Sequence, residues 1–457
     1  MSSDAWDLDR RHAWHPFTPF DEWLAPGHEP VFVESGRGAV LVDREGREYL
    51  DGNSSIWTNL HGHGHPRIAG AIKAQLDRIA HSSYLGLAHE PGARLAAELC
   101  RRMGFDPGRA FFSDDGSTAV EAALKLAIQY FHQNGAPERT LFLRVGGGYH
   151  GDTLGAVSVG RSEAFHRAYA PLLFPTEEVS SPACYRCPHN RAQPEAADAR
   201  TYAQCNRECV GEVAAALERR GAGTAAFVIE PRVQGAAGMT MHPEGYLAGV
   251  APLVREAGAF LIADEVLTGF GRTGTMLASE KEGVAPDFVA LAKGLTGGYL
   301  PMGATLVREA VADGFRGGLE RTFFHGHSYT GNPLGCAAAR ANLETFEAER
   351  TLETIAVRAE TLRKASQVFW TLPNAGDVRQ EGMILAVELV RDRATREPFP
   401  AAARLAHRIG EEARRHGLLT RGLGGTLFLL PPYCSSDAEV ERMVDILFRA
   451  AQKVLAE

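Results

Sequence analysis

The sequence predicts an α/β protein: a large domain built on a mostly parallel sheet flanked by helices, plus a smaller α+β domain assembled from both ends of the chain. Three observations predict it. Short apolar runs with little alternation recur through the middle of the 457 residues, as expected of strands covered on both faces. Helix-forming stretches separate them, the alternation that produces parallel sheets. The pattern changes before about residue 60 and after about residue 335.

Taken in order, residues 1–60 form the N-terminal part of the small domain. Within them 38–51 reads as a hairpin with a polar turn, Asp43-Arg44-Glu45-Gly46. Residues 61–335 form the large domain. Its strands are Ala110-Phe111-Phe112-Ser113, Leu141-Phe142-Leu143-Arg144-Val145, Ala225-Ala226-Phe227-Val228-Ile229 and Ala259-Phe260-Leu261-Ile262-Ala263, each running into polar or glycine-rich residues. Helices are expected over 119–130 and 213–220. A polar, Ala-rich and Cys-containing stretch, 183–210, reads as an insertion. Residues 336–457 complete the small domain, with helices over 337–349 and 353–372 and short strands near Met383-Ile384-Leu385-Ala386-Val387 and Leu427-Phe428-Leu429-Leu430.

Composition removes several function classes. A net charge of -8 and a pI near 6.1 argue against nucleic acid as partner, since phosphate contact needs surplus Lys and Arg. No apolar run approaches the ~18 residues of a membrane span. The acidic start, Met1-Ser2-Ser3-Asp4-Ala5-Trp6-Asp7, lacks a secretory h-region, so a cytoplasmic protein is expected. Seven cysteines are too few for a disulfide scaffold at this length.

Ligands of such sheets bind at the carboxyl ends of the strands, and three polar features fall there. Asp114-Asp115-Gly116-Ser117-Thr118 opens a helix, where free N–H groups favour a phosphate and glycine permits close approach. Thr118 and Glu121 have capping-box spacing; a capped helix with no ligand would look the same. Gly146-Gly147-Gly148-Tyr149-His150-Gly151 fits G-x-G-x-x-G, but no acid ends a second strand about 20 residues on, as a dinucleotide site requires. The pair Tyr149-His150 suits stacking on a flat ring. Asp264 ends a strand, and Lys293, 29 residues on, follows the apolar run Phe288-Val289-Ala290-Leu291-Ala292. A structural ion pair is one reading; a desolvated lysine nucleophile is the other. Phosphate turn, aromatic, aspartate and buried lysine together are the parts pyridoxal phosphate needs.

The string Phe260-Leu261-Ile262-Ala263-Asp264-Glu265-Val266-Leu267-Thr268-Gly269-Phe270-Gly271-Arg272-Thr273-Gly274 resembles the signature of class III (fold-type I) aminotransferases. So do Glu230-Pro231-Arg232-Val233-Gln234-Gly235, Ala292-Lys293-Gly294 and Ser328-Tyr329-Thr330-Gly331-Asn332-Pro333. His15-Pro16-Phe17-Thr18, Asp51-Gly52-Asn53-Ser54-Ser55-Ile56-Trp57, Phe324-His325-Gly326-His327-Ser328 and Leu430-Pro431-Pro432-Tyr433 are similar to the branch that aminates 8-amino-7-oxononanoate in biotin synthesis. Another ω-amino acid or a diamine is the alternative substrate.

The resemblance implies a fold-type I transferase dependent on pyridoxal 5'-phosphate. Its catalytic residues would be Lys293, which carries the cofactor as a Schiff base, Asp264, which keeps the ring nitrogen protonated, and Tyr149, which stacks on the ring. Gly116 and Ser117 would bind the phosphate, Val266 would pack behind the ring and Gln234 would lie near its hydroxyl. Ser328, with the backbone of His327, would reach the phosphate of a neighbouring subunit, which implies a homodimer with active sites at the interface. Trp57 and Phe17 would contact substrate, Arg421 would meet a substrate carboxylate, and Glu230 would lie near Arg421. Phe17 and Ile56 resemble the lysine-using branch more than the branch that uses S-adenosylmethionine, so L-lysine is the expected donor and S-adenosylmethionine the runner-up.

Four cysteines cluster within the insertion as Cys184-x-x-Cys187 and Cys205-x-x-x-Cys209. This spacing resembles a structural zinc knuckle; free thiols are the equal alternative.

Overall fold

The computed structural model describes residues 2–160 and 163–457. Its largest sheet has seven strands in the order Gly108–Ser113, Gly303–Arg308, Phe288–Leu291, Phe260–Asp264, Thr224–Ile229, Leu141–Val145, Thr176–Val179. Only Gly303–Arg308 runs antiparallel to its neighbours; the other pairings are parallel. The four runs singled out in the sequence are all in this sheet, and the mostly parallel α/β expectation holds. The interior strand Thr224–Ile229 is buried at every position, which is why its sequence shows no polar alternation.

Two strands are hard to read in the sequence. Thr176–Val179 carries Glu177 and Glu178 because it is an edge strand, where charge discourages further pairing. Gly303–Arg308 follows a Gly- and Pro-rich stretch and returns against the direction of the sheet.

The chain ends fold together. Leu418–Leu419 pairs in parallel with Glu48–Asp51 of the N-terminal meander. Ala39 and Leu50 share a core with Leu405, Ile409, Met443 and Leu447. The insertion holds little apolar material of its own: Cys184, Tyr185 and Ala199 pack on Val390. Charge attaches it instead. Arg200 bonds Asp198, Glu381 and the Gln380 carbonyl, and Arg186 pairs with Glu388 at 2.7 Å. Among the described residues no helix is long and apolar enough to cross a membrane.

The capping box of the helix Gly116–Gln133 differs from the expected one. Asp115 is the N-cap, accepting from Thr118 N–H, while the Thr118 hydroxyl bonds back to Asp115 N–H. The short Asp side chain three residues before Thr118 is the better acceptor. Glu121 is thereby released to bind Thr153 Oγ1 and the Gly155 and Ala156 N–H groups.

Candidate active site

Four neighbouring strands of the large sheet end at one cavity of about 700 Å³. Leu141–Val145 leads to Tyr149 and His150, Thr224–Ile229 to Glu230, Phe260–Asp264 to Asp264, and Phe288–Leu291 to Lys293. All five residues line the cavity, with Trp57, Gly116, Ser117 and Val266. Residues distant in sequence meet here because parallel strands align their carboxyl ends.

Lys293 opens a short 3-10 turn with φ at +41°, a region that side chains other than glycine seldom adopt. This backbone turns the side chain off the strand into the site, and such strain clusters at functional positions. The amine lies 4.6 Å from the Trp57 ring centroid. Burial pulls the Lys293 pKa below that of an ordinary lysine; Asp264 and Glu230 oppose the shift and Arg272 adds to it. A larger fraction of the amine is therefore neutral and nucleophilic. Arg272 is itself buried, donating to the Pro431 and Asn59 carbonyls over the Tyr433 ring.

Asp264 accepts Val266 N–H at Oδ1, 3.0 Å, and His150 Nδ1 lies 2.7 Å from Oδ2. Glu230 accepts the Tyr149 and Gly235 N–H groups, and burial pushes its carboxyl up to about 7. Tyr149 donates its hydroxyl to Asp152, 2.6 Å. Burial and that acceptor raise the phenol well above its usual value, so it stays protonated.

The phosphate turn is shaped by close approaches. A Cβ on Gly116 would lie 2.7 Å from Val266 Cγ1. Gly151, at φ +119°, lets the glycine-rich turn touch Ser117, whose Oγ would lie 2.2 Å from any Cβ there. Ser117 Oγ also bonds Thr153 Oγ1. The start of the helix Gly116–Gln133 thus faces the cavity with free N–H groups beside a hydroxyl, a fit for phosphate. Together with Asp264 and Lys293 this donor set fits pyridoxal phosphate.

Other expected site residues lie elsewhere. Phe17 is 60% exposed and outside the cavity lining. It meets Phe165 edge-on; Phe165 adjoins His166, which stacks against Tyr149. Arg421 is exposed between the strands Leu418–Leu419 and Gly422–Leu423 and does not line the cavity. Glu230 accepts two backbone bonds, from Tyr149 and Gly235 N–H. Gln234 is buried behind the glycine turn, bonded to the Gly146 carbonyl and to Ser181. Ser328 is exposed, and His327 faces Asp114 at 3.0 Å. His150, read with Tyr149 as a stacking pair, turns instead toward Asp264; the sequence offered no signal for that contact.

Cys184, Cys187, Cys205 and Cys209 do border one cavity, of about 90 Å³, and all are free thiols. Yet among the described residues no three His, Cys, Asp or Glu side chains are placed to hold a metal ion. The zinc expectation is therefore set aside. Burial pushes the Cys184 thiol up to about 12 and the Cys209 thiol up to about 11, which favours packed, protonated groups. Ion pairs attach the insertion.

The aminotransferase class-III family model matches residues 23–451. The chain belongs to the class III aminotransferases. It is 49% identical over 441 residues to the adenosylmethionine-8-amino-7-oxononanoate aminotransferase of Nitratidesulfovibrio vulgaris, covering 96% of this chain and 79% of that one. It is 46% identical to the Geobacter sulfurreducens enzyme of that name, covering 98% of this chain and 97% of the relative. Among solved structures it resembles the Methanocaldococcus jannaschii enzyme of that name at TM-score 0.91 and 36% identity, covering 99% of each chain. It also resembles a PLP-bound amine transaminase from an uncultivated Pseudomonas species at TM-score 0.89 and 35% identity, covering 97% of this chain and 98% of that one. This class III chain is an aminotransferase, and pyridoxal phosphate is its cofactor.

Proposed function

We propose that this aminotransferase transfers an amino group to the ketone of 8-amino-7-oxononanoate, giving 7,8-diaminononanoate for biotin synthesis. The observation that carries the reading is near-full-length likeness to relatives named for that reaction, in a chain whose strand ends place a desolvated lysine, an aspartate and a phosphate turn in one cavity.

When bound, pyridoxal phosphate supplies an aldehyde that takes up amines and a ring that accepts negative charge from the adjoining carbon. In this reading Lys293 would hold the cofactor through its neutral amine, and its Nζ, when free, would carry a proton between the amine-bearing carbon of the substrate and the adjoining carbon of the cofactor. Asp264 would accept from the ring nitrogen and keep it protonated. Tyr149 and Val266 would enclose the ring, Gly116 and Ser117 would hold the phosphate, and Trp57 would bound the substrate space. Gln234 supports the glycine turn. Ser328 and the His327 backbone serve the neighbouring subunit's phosphate site in a homodimer, and exposed Leu85, Trp14 and Phe324 supply apolar surface for that contact.

Adenosylmethionine is the donor we infer. The relatives carry it in their names, and Phe17 and Ile56, the residues that suggested lysine, lie outside the cavity lining. The alternative, amination of other ketones, has its own support in an (S)-enantioselective omega-transaminase from Thermomicrobium roseum at TM-score 0.92 and 33% identity. Purified enzyme given 8-amino-7-oxononanoate with adenosylmethionine or lysine in parallel decides the matter. Diamine product with adenosylmethionine is expected. Product only with lysine overturns the donor, and no product with either, alongside turnover of simple ketones, overturns the substrate.

A further inference from the structure

Asp264 is held at both oxygens before any ligand is considered. Val266 N–H, two residues on, fixes Oδ1, a local turn that Asp side chains favour. Oδ2 is met at 2.7 Å by His150 Nδ1, although the two residues are 114 positions apart. The strands Leu141–Val145 and Phe260–Asp264 both flank Thr224–Ile229, so their ends lie about 9–10 Å apart. The glycine turn carries the imidazole across the end of the middle strand. Glu230, at that end, does not compete for the imidazole. Its oxygens take Tyr149 N–H and Gly235 N–H, which anchors the backbone next to His150.

We propose that His150 is a positioning residue: it locks the Asp264 carboxylate in one plane and gives it a buried positive partner, so that the pair, rather than Asp264 alone, receives the ring nitrogen of the cofactor. The inference rests on the pyridoxal-phosphate reading above.

The charge balance supports it. Asp264 and His150 are both buried, at 4% exposure each, and a carboxylate without a partner at that depth is costly. Lys293 must be neutral to act as a nucleophile, and His150 is the cationic group in direct contact with Asp264 Oδ2, so it supplies the positive charge nearest that oxygen. Burial lowers the basicity of His150 and Arg144 adds to that, but the bond to Asp264 and the charge of Glu230 outweigh both and raise it. His150 therefore stays charged into a higher pH range than a free histidine.

Two substitutions separate the roles. His150→Asn keeps a donor near the place of Nδ1 and loses the charge; His150→Phe keeps a ring and loses both. In the full chain loaded with pyridoxal phosphate, His150→Phe is expected to weaken cofactor affinity by about tenfold or more, the order set by one charge-assisted hydrogen bond. It should also lower kcat while leaving KM for the keto substrate unchanged. His150→Asn should recover most of the affinity but shift the pH profile of kcat. Nitrogen-15 histidine NMR of the cofactor-free chain gives a readout independent of activity: a downfield imidazole proton that disappears in His150→Asn and moves in Asp264→Asn. Unchanged affinity and kcat in His150→Phe overturn the proposal, as does a resonance indifferent to Asp264→Asn. A chain that binds no pyridoxal phosphate overturns the functional reading instead, and the NMR result still decides whether His150 and Asp264 are paired.

Discussion

Lys293 combines three conditions that a surface lysine lacks: a left-handed backbone, a desolvated amine and two nearby carboxylates. Burial favours the neutral amine and the carboxylates restrain the shift. Lys293→Ala is expected to abolish the long-wavelength absorption of bound cofactor and to reduce turnover by several orders of magnitude; a variant retaining both would remove Lys293 from the chemistry. Asp264→Asn separates binding from catalysis, because amide and carboxylate have the same shape but only the carboxylate stabilises a protonated ring nitrogen. The variant should keep cofactor within about tenfold of normal affinity while losing a hundredfold or more in kcat. Equal loss of both would reduce Asp264 to a structural role.

At the scale of the element, the segment carrying Trp57 stands out. Ser54, Ser55, Ile56 and Trp57 all have positive φ, a left-handed turn that costs about 1–2 kcal/mol per residue. Asp51 holds it, accepting Ser55 N–H and Oγ at 2.8 Å each and meeting His63 at 3.0 Å. Ser54 Oγ adds a bond to the Leu430 carbonyl. Asp51→Ala should destabilise the protein by about 2 kcal/mol or more in denaturant titrations and raise substrate KM as Trp57 leaves the cavity wall; an unchanged KM would detach the turn from the site. The glycine turn is the second such element. Gly151→Ala forces a Cβ onto Ser117, so cofactor affinity, followed by fluorescence, should fall about tenfold or more.

For the whole molecule, buried neutral histidines are expected to contribute to the loss of stability in acid. His242 is 1% exposed, and neither ring nitrogen has a hydrogen-bond partner among the described residues. Burial, with Arg232 and Arg200 nearby, lowers its pKa to about 3. The unfolded chain protonates this histidine near 6.5 while the folded chain does not, so stability is lost as pH falls from about 6.5 toward 3, with a slope up to about 1.4 kcal/mol per pH unit. His242→Phe should flatten that acid limb in melting curves. An acid limb as steep as that of the unsubstituted protein would assign the effect to other groups.

The sequence by itself determined four strands of the sheet and the polar positions that follow the strand ends, Asp264 and Lys293 among them. Buried parallel strands write continuous apolar runs, and the polar residues that end them mark the binding edge. It also set the family, because the strings around Asp264 and Lys293 carry one chemistry. Tertiary structure decided what depends on direction rather than identity. His150 faces Asp264 instead of a ring, since a turn crosses the end of the strand between them. Asp115 caps the phosphate helix, leaving Glu121 to brace Thr153. Phe17 and Arg421 do not line the cavity, because their side chains turn toward Phe165 and toward the surface. The cysteines share a cavity without forming a metal site, because sequence spacing brings thiols near one another but only the fold around them sets whether their sulfurs converge.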